Sequence, residues 1–541
     1  MSNKNTLVKN ASILMIASMI SRIIGLLYRR PLGNILGSVG LGYYGYASNL
    51  YSILLLISSY SIPMAVSKIV SERLALKRYR NAHRAFLAAL IYAAVVGGIA
   101  ALIAWFGGAY LLPKNQLNAL PALRVLSPTI FLSAILGVLR GYFQANQNMT
   151  PTSVSQIAEQ IMNAIVSILA AWILVARVAS DGGNSTAIYG AVGGTMGTGA
   201  GVLTGLIFML FVYGVNRKII FKRIARDKSE TEESYSHIFQ VIFLMVTPII
   251  FTTFINNAST YLDSYLYSTI QDWHGFDADA ISAAYGEFSN YYIPIINIPL
   301  AIASASASAL MPEVSGQYAL GNHENANEQI NTTIRLTMFI CIPAMVGLTI
   351  LAGPIMQLLF PSASELAARI LMFGSLYVLF TALATITGSV LQSIGQQRTA
   401  LFNAGISLIL NLVCLALLLF LIPRLDIYAV MIANILFSVV YCLMNALSLR
   451  RYLGFRNEMK KTYGEPLLAS LLMAAVTLPV YSLIFRVSGM VLAALPIAIL
   501  AAVLVYLIGY VKISRISEEE LRKFPLGTKL VKVLRKIRIY R

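Results

Sequence analysis

The chain has 541 residues, 57% of them hydrophobic and only 12% charged, with a mean hydropathy of +0.72. Soluble domains carry about 25% charged residues, so a soluble globular protein is excluded. The net charge of +19 then reads as a topological signal and not as nucleic-acid binding, because short cytoplasmic loops retain Lys and Arg.

Apolar stretches of bilayer-spanning length, roughly 18 to 25 residues, fall at 11–28, 41–66, 85–107, 125–143, 154–176, 188–214, 238–268, 288–311, 333–353, 368–391, 399–422, 427–448, 465–486 and 488–511. They predict an all-α polytopic membrane protein of fourteen transmembrane helices. An even number places both termini on one side.

The first stretch follows Lys4 and Lys9, as an export signal would. It has no small-x-small cleavage site and ends in Arg29, Arg30 and Pro31, so it is expected to stay as a helix. It also contains Arg22, at a cost of roughly 2.5 to 3.5 kcal/mol for a spanning helix. That cost points to an anion site facing a protein interior or a wet cavity. The competing reading is a flexible stem that reaches the headgroups beside Arg29 and Arg30.

Lys68, Arg73, Lys77, Arg78, Arg80 and Arg84 follow the second stretch, and a second basic cluster runs from Arg217 to Lys228 after the sixth. A third comprises Arg450, Arg451, Arg456, Lys460 and Lys461. The opposite loops are poor in base: residues 108–123 hold only Lys114, and 270–287 hold Asp272, Asp277, Asp279 and Glu287. The basic side is therefore cytoplasmic. Residues 315–332 belong there too, yet carry no base. In the tail, Ser517 and Glu520 form a capping-box pattern. Leu530, Val531, Leu534 and Ile537 then alternate with bases in a pattern suited to an anionic inner leaflet, or to a plain solvated tail.

Within the sixth stretch Gly193, Gly197, Gly201 and Gly205 recur every four residues. They do not match GxxxxGK[ST], and a smooth helix-packing face explains them better. The small residues from Ala301 to Ala309 suggest the same. Cys341, Cys414 and Cys442, and His83, His237, His274 and His323, show neither metal spacing nor a catalytic pattern.

Six helices precede the basic loop at 215–237 and six more precede Arg450, which suggests two bundles with two helices appended. At an offset of 248 positions Asn49 matches Asn297, Gln144 matches Gln392, and Asn163 matches Asn411. Arg140 and Glu159 add charge to the first half, and Asp263 stands as a lone carboxylate in the second. Any one of the asparagines could equally bridge two helices or touch a substrate.

Ser21-Arg22-x-x-Gly25, the passage from Arg140-Gly-Tyr-Phe-Gln144 to Met149-x-Pro151-Thr152, then Gln156, Glu159-Gln160 and Ala309-Leu-Met-Pro312 resemble the multidrug/oligosaccharidyl-lipid/polysaccharide exporter superfamily. The likeness is greatest to its polysaccharide-transporter branch, which includes the stage V sporulation protein B group and the lipid II flippases. It implies two six-helix lobes, 1–228 and 229–452, around a cavity that opens alternately to each side. Helices thirteen and fourteen (453–511) would form a groove for a lipid tail, ahead of a basic cytoplasmic tail (512–541).

The implied function is non-enzymatic flipping of an undecaprenyl-diphosphate-linked cell-wall precursor, lipid II foremost, across a bacterial plasma membrane. Substrate-binding candidates are Arg22, Arg29, Arg30, Arg140, Asn49, Gln144, Glu159, Asn163 and Asn297. Asp263 and Asn411 match the family's cation site in part. No cofactor is expected; the membrane potential is the expected drive, with Na+ or H+ coupling as the alternative. Expected partners are the prenyl-diphosphate-linked glycan, anionic lipids and cell-wall synthesis or division proteins, with no nucleic acid. The competing functions are a flippase for a teichoic-acid or capsule unit, a cation-coupled multidrug exporter, and a non-transporting scaffold.

Overall fold

A computed structural model describes residues 17–60, 62–180, 184–227, 232–514 and 518. All regular structure among them is helical. In chain order the helices are α1 (Ala17–Leu27), α2 (Arg29–Leu55), α3 (Ile62–Ala75), α4 (Tyr79–Leu111), α5 (Leu120–Ala145), α6 (Thr150–Val178), α7 (Ser185–Ala225), α8 (Tyr235–Trp273) and α9 (Ala278–Glu287). They continue as α10 (Ile293–Ala319), α11 (His323–Ile350), α12 (Ala352–Leu359), α13 (Glu365–Gly374), α14 (Leu376–Ser393), α15 (Gln397–Leu421), α16 (Ile427–Leu453), α17 (Glu465–Ser488) and α18 (Val491–Ser514).

Twelve helical stretches among the described residues are long and apolar enough to cross a membrane. Two shorter apolar helices, Ala17–Leu27 and Tyr235–Thr247, stand where the first and seventh spans are expected. The chain is a multi-pass membrane protein. Some of its helices start at side-chain caps. The Ser234 hydroxyl accepts from the His237 N–H, and the Asp277 carboxylate accepts from Asp279 and Ala280. Pro151 and Pro466 sit in first turns, where no backbone donor is needed.

Three local expectations are corrected. The first helix does not stop before Arg29 and Arg30, because Tyr28 N–H bonds Ile24 O and Leu32 N–H bonds Tyr28 O. It runs on to a break at Gly37, whose φ of 64° is a left-handed conformation that glycine adopts without a Cβ clash. The acidic loop at 270–287 is largely helix: α9 leads through a π-helical turn, Phe288–Tyr292, into α10. The tenth expected span, 368–391, is divided: its first residues belong to α13, which pairs with α12, and the rest forms α14. The amphipathic tail, with Ser517, Glu520 and everything from residue 519 on, lies outside the described residues.

The chain divides into two compact units, residues 1–290 with 415–427, and residues 291–414 with 428–541. In the first, Phe86 and Tyr142 belong to one buried core with ring centroids 4.6 Å apart, and the half-buried Tyr213 stacks on Phe86. The α6–α7 seam is as tight as its glycine repeat predicts. A Cβ at Gly201 would lie 2.5 Å from Glu159 O, and one at Gly197 would collide with the Ser167 hydroxyl. At one end of this unit the basic cluster is partly neutralised from within. Arg73 holds Glu233, while Arg80 and Arg84 both hold Glu232, and these pairs tie the segment leading into α8 to the α3–α4 turn. The Arg80 hydrogen bond, and then Arg84, keep the Glu232 carboxyl below its ordinary pKa.

Candidate functional site

Arg22, Gly25 and Arg29 are spaced i, i+3, i+7 and so share one stripe of the first helix, which runs unbroken past Tyr28. Arg22 is exposed and Arg29 half-buried. Gly25 turns this stripe toward α6, where a Cβ would lie 3.9 Å from Gln160 Oε1. Two planar guanidinium groups on one face, about 10 Å apart along the axis at 1.5 Å per residue, suit a polyanion. Arg30 is exposed on a different face.

Arg140 is engaged. Its Nε donates to Ser155 Oγ at 2.9 Å and its Nη2 to Glu159 Oε2 at 2.7 Å, and the pair lies over Gly205. Neither charge is isolated, so the acid and the base expected in the cavity form one neutral unit. Asn163 is 8% exposed and accepts from Ser167 Oγ at 3.0 Å in the α6–α7 seam. Gln144 is half-buried near the end of α5.

Asn49 belongs to another cluster in the same unit. Its Nδ2 donates to the Tyr285 hydroxyl at 2.5 Å, Tyr285 stacks on Tyr46 with centroids 4.7 Å apart, and Tyr267 donates to Asp426 Oδ1 at 2.5 Å. Asp263, 1% exposed, lies in α8 of this unit.

Around the cluster, α2 and α9 meet almost backbone to backbone. A Cβ at Gly286 would lie 2.5 Å from Gly42 N, and one at Gly42 would overlap the Ser282 carbonyl. Polar groups rim this seam. Ser38 Oγ donates to Glu287 Oε1 at 3.1 Å, Ser282 Oγ to Val39 O at 3.1 Å, and Asn290 Nδ2 to Leu41 O at 2.9 Å. Arg29 Nη1 donates to the Asn290 and Ser289 carbonyls at 3.1 and 3.4 Å. Tyr43 donates to Asp279 at 2.8 Å, and Asn184 donates to the same carboxylate. The paired glycines are visible in the sequence, but no spacing rule joins positions so far apart.

The second unit contributes an apolar groove of about 470 Å³. Ile298 and Pro299 of α10, Pro343 and Gly347 of α11, and Ile499 and Val503 of α18 line it, with Met473 of α17 at its base. Tyr506 turns its hydroxyl into the wall, donating to Phe339 O at 2.7 Å, so the lining stays apolar. The appended helices thus build only part of the groove, with α10 to α12 supplying the rest. Asn297 is exposed on α10, and Asn411 is 0% exposed in α15.

A family model described as "Polysaccharide biosynthesis protein" matches residues 7–316. The chain belongs to that family. A second model, MatE, matches residues 248–417. Among relatives, the Lipid II flippase MurJ of Bacillus subtilis (strain 168) is 28% identical over 518 residues, 92% of this chain and 93% of that protein. Stage V sporulation protein B of the same organism is 24% identical over 539 residues, covering 98% of this chain and 99% of its own. Of solved structures, Lipid II flippase MurJ in an inward closed conformation aligns with a TM-score of 0.63 at 19% identity, over 92% of this chain and 98% of that one. An inward-facing multidrug resistance MATE family transporter aligns with 0.59 at 15% identity, over 83% and 98%. The fold of this family member is therefore that of the multidrug/oligosaccharidyl-lipid/polysaccharide superfamily.

Proposed function

We propose that this protein is an alternating-access flippase that carries an undecaprenyl-diphosphate-linked cell-wall precursor, lipid II foremost, from the inner to the outer leaflet of a bacterial plasma membrane. The observation that carries the reading is that one chain combines a helix stripe bearing Arg22 and Arg29 with an apolar groove of about 470 Å³ lined by α10 to α12, α17 and α18. The stripe suits a diphosphate, whose oxygens match the guanidinium fork. The groove suits a prenyl tail that never needs to leave hydrocarbon. Fourteen spans, lobes at 1–228 and 229–452 and cytoplasmic termini belong to this reading, as does a membrane potential that draws the anion outward.

Reconstitution with fluorescent lipid II tests it. Arg22→Ala should abolish flipping while the protein still inserts, since losing a membrane-embedded base eases insertion. Arg22→Lys should also fail, because a point charge does not reproduce a two-pronged grip. Full activity of both variants refutes the anion-site role. Running the same assay with a diphosphate-linked teichoic-acid or capsule unit separates those substrates from lipid II. The buried Asp263 favours one rival, a cation-coupled exporter, which would instead require a sodium or proton gradient.

A further inference from the structure

Two helices that must separate during transport gain from contacts that water can replace, because an apolar seam resists wetting whereas exchanged hydrogen bonds nearly break even. The α2–α9 seam is of that kind. Gly42 and Gly286 bring the backbones together, and hydroxyl, amide and carboxylate groups surround them. The hydroxyl and amide donors just named are neutral. Arg29 is charged, and its acceptors are the backbone carbonyls of Ser289 and Asn290 in the Phe288–Tyr292 π-helical turn. A guanidinium on neutral carbonyls is not in its best pairing, since a diphosphate offers its fork of donors an opposite charge and a two-pronged match. Arg22 lies two turns away on the same stripe, where an arriving diphosphate would be held within reach.

We propose that Arg29 is a substrate-released latch. It closes the α2–α9 seam by holding the Ser289 and Asn290 carbonyls, and it lets go when a diphosphate takes its guanidinium. Substrate recognition and opening are then one exchange of partners. The anion biases the open state because it meets Arg29 only after the carbonyls are released, which is the differential affinity that a population shift requires. The proposal rests on the flippase reading above and assigns Arg29 a positioning role in addition to substrate contact.

The test uses full-length protein in nanodiscs, with Cys341, Cys414 and Cys442 replaced and a single Ser282→Cys reporter in the seam, where Ser282 is 0% exposed. The rate of maleimide labelling measures opening. The parent should label slowly, and undecaprenyl diphosphate should accelerate it about tenfold or more, the shift expected for exchanging one charged hydrogen bond. Neutral undecaprenol should do nothing. Arg29→Ala should label fast without lipid and ignore diphosphate; Arg29→Gln provides the same readout if the alanine variant does not survive purification. A variant that labels as slowly as the parent, or still responds to diphosphate, overturns the latch. A variant that opens while the parent ignores diphosphate overturns release by substrate, and leaves the flippase reading to the Arg22 test above.

Discussion

Arg140 and Glu159 show what a charge needs inside an apolar helix bundle. Each neutralises the other, and Ser155 takes the remaining reach of the guanidinium. Asp426 is a different case, at the turn before α16 and outside the spans. Burial raises its carboxyl pKa, against the pull of hydrogen bonds from Tyr267 and Gln271. A carboxyl whose folded pKa is raised contributes stability at low pH and loses it as pH climbs through the folded value. Asp426→Asn keeps an oxygen for both donors and removes the ionisation. It should therefore melt above the wild type at neutral pH, with the difference shrinking as pH falls below the raised value. An equal or lower melting temperature at neutral pH would show that the hydrogen bonds outweigh desolvation.

At the scale of elements, α6 and α7 are held by shape. The repeat Gly193, Gly197, Gly201 and Gly205 removes the side chains that would keep the helices apart, and the facing residues fill the space to contact. Gly201→Leu should lower the thermal midpoint sharply, since overpacking costs about 1 to 3 kcal/mol or more. Gly214→Leu, in the same helix with nothing within 4 Å of its Cβ position, should leave the midpoint near that of the wild type. Equal effects in a thermal-shift assay would mean that the seam is looser than the contacts imply. Of the small residues of α10, Ala303 and Ala307 are buried, whereas Ser304 and Ser308 are exposed and bond back along their own helix.

The molecule as a whole should sit with its basic loops inside. On a background without native cysteines, cysteines at Ser71, Ser229 and Ser517 should resist an impermeant thiol reagent in intact cells. One at Trp273, 72% exposed at the end of α8, should react. Rapid labelling at any of the first three would reverse the topology or change the helix count. Orientation sets the energetics as well. A diphosphate with about two negative charges gains roughly 4 to 5 kcal/mol per 100 mV on moving outward, at about 2.3 kcal/mol per charge. Collapsing the potential with an ionophore should therefore stop outward flipping, and Asp263→Asn should slow it less than Arg22→Ala does. Undiminished flipping in depolarised vesicles would rule this drive out.

The sequence by itself determined the properties that depend on one stretch of chain. Hydropathy placed the spans, base content marked the expected inner loops, the glycine period identified a packing face, and Arg22 stood out because a charge in hydrocarbon is costly. Tertiary structure decided whatever depends on which stretches meet. Arg29 looked like a flank of the first span, yet it lies inside a continuous helix with its guanidinium on carbonyls about 260 residues away. Asn49 could, from the sequence, bridge two helices or touch a substrate, and the structure shows it donating to the Tyr285 hydroxyl. Asn163 carried the same expectation and is built into the α6–α7 seam. The groove was expected from helices thirteen and fourteen alone, but α10 to α12 supply much of its wall, and no local pattern brings those stretches together. Local periodicity fixes which face of a helix is apolar. Only packing fixes what that face touches.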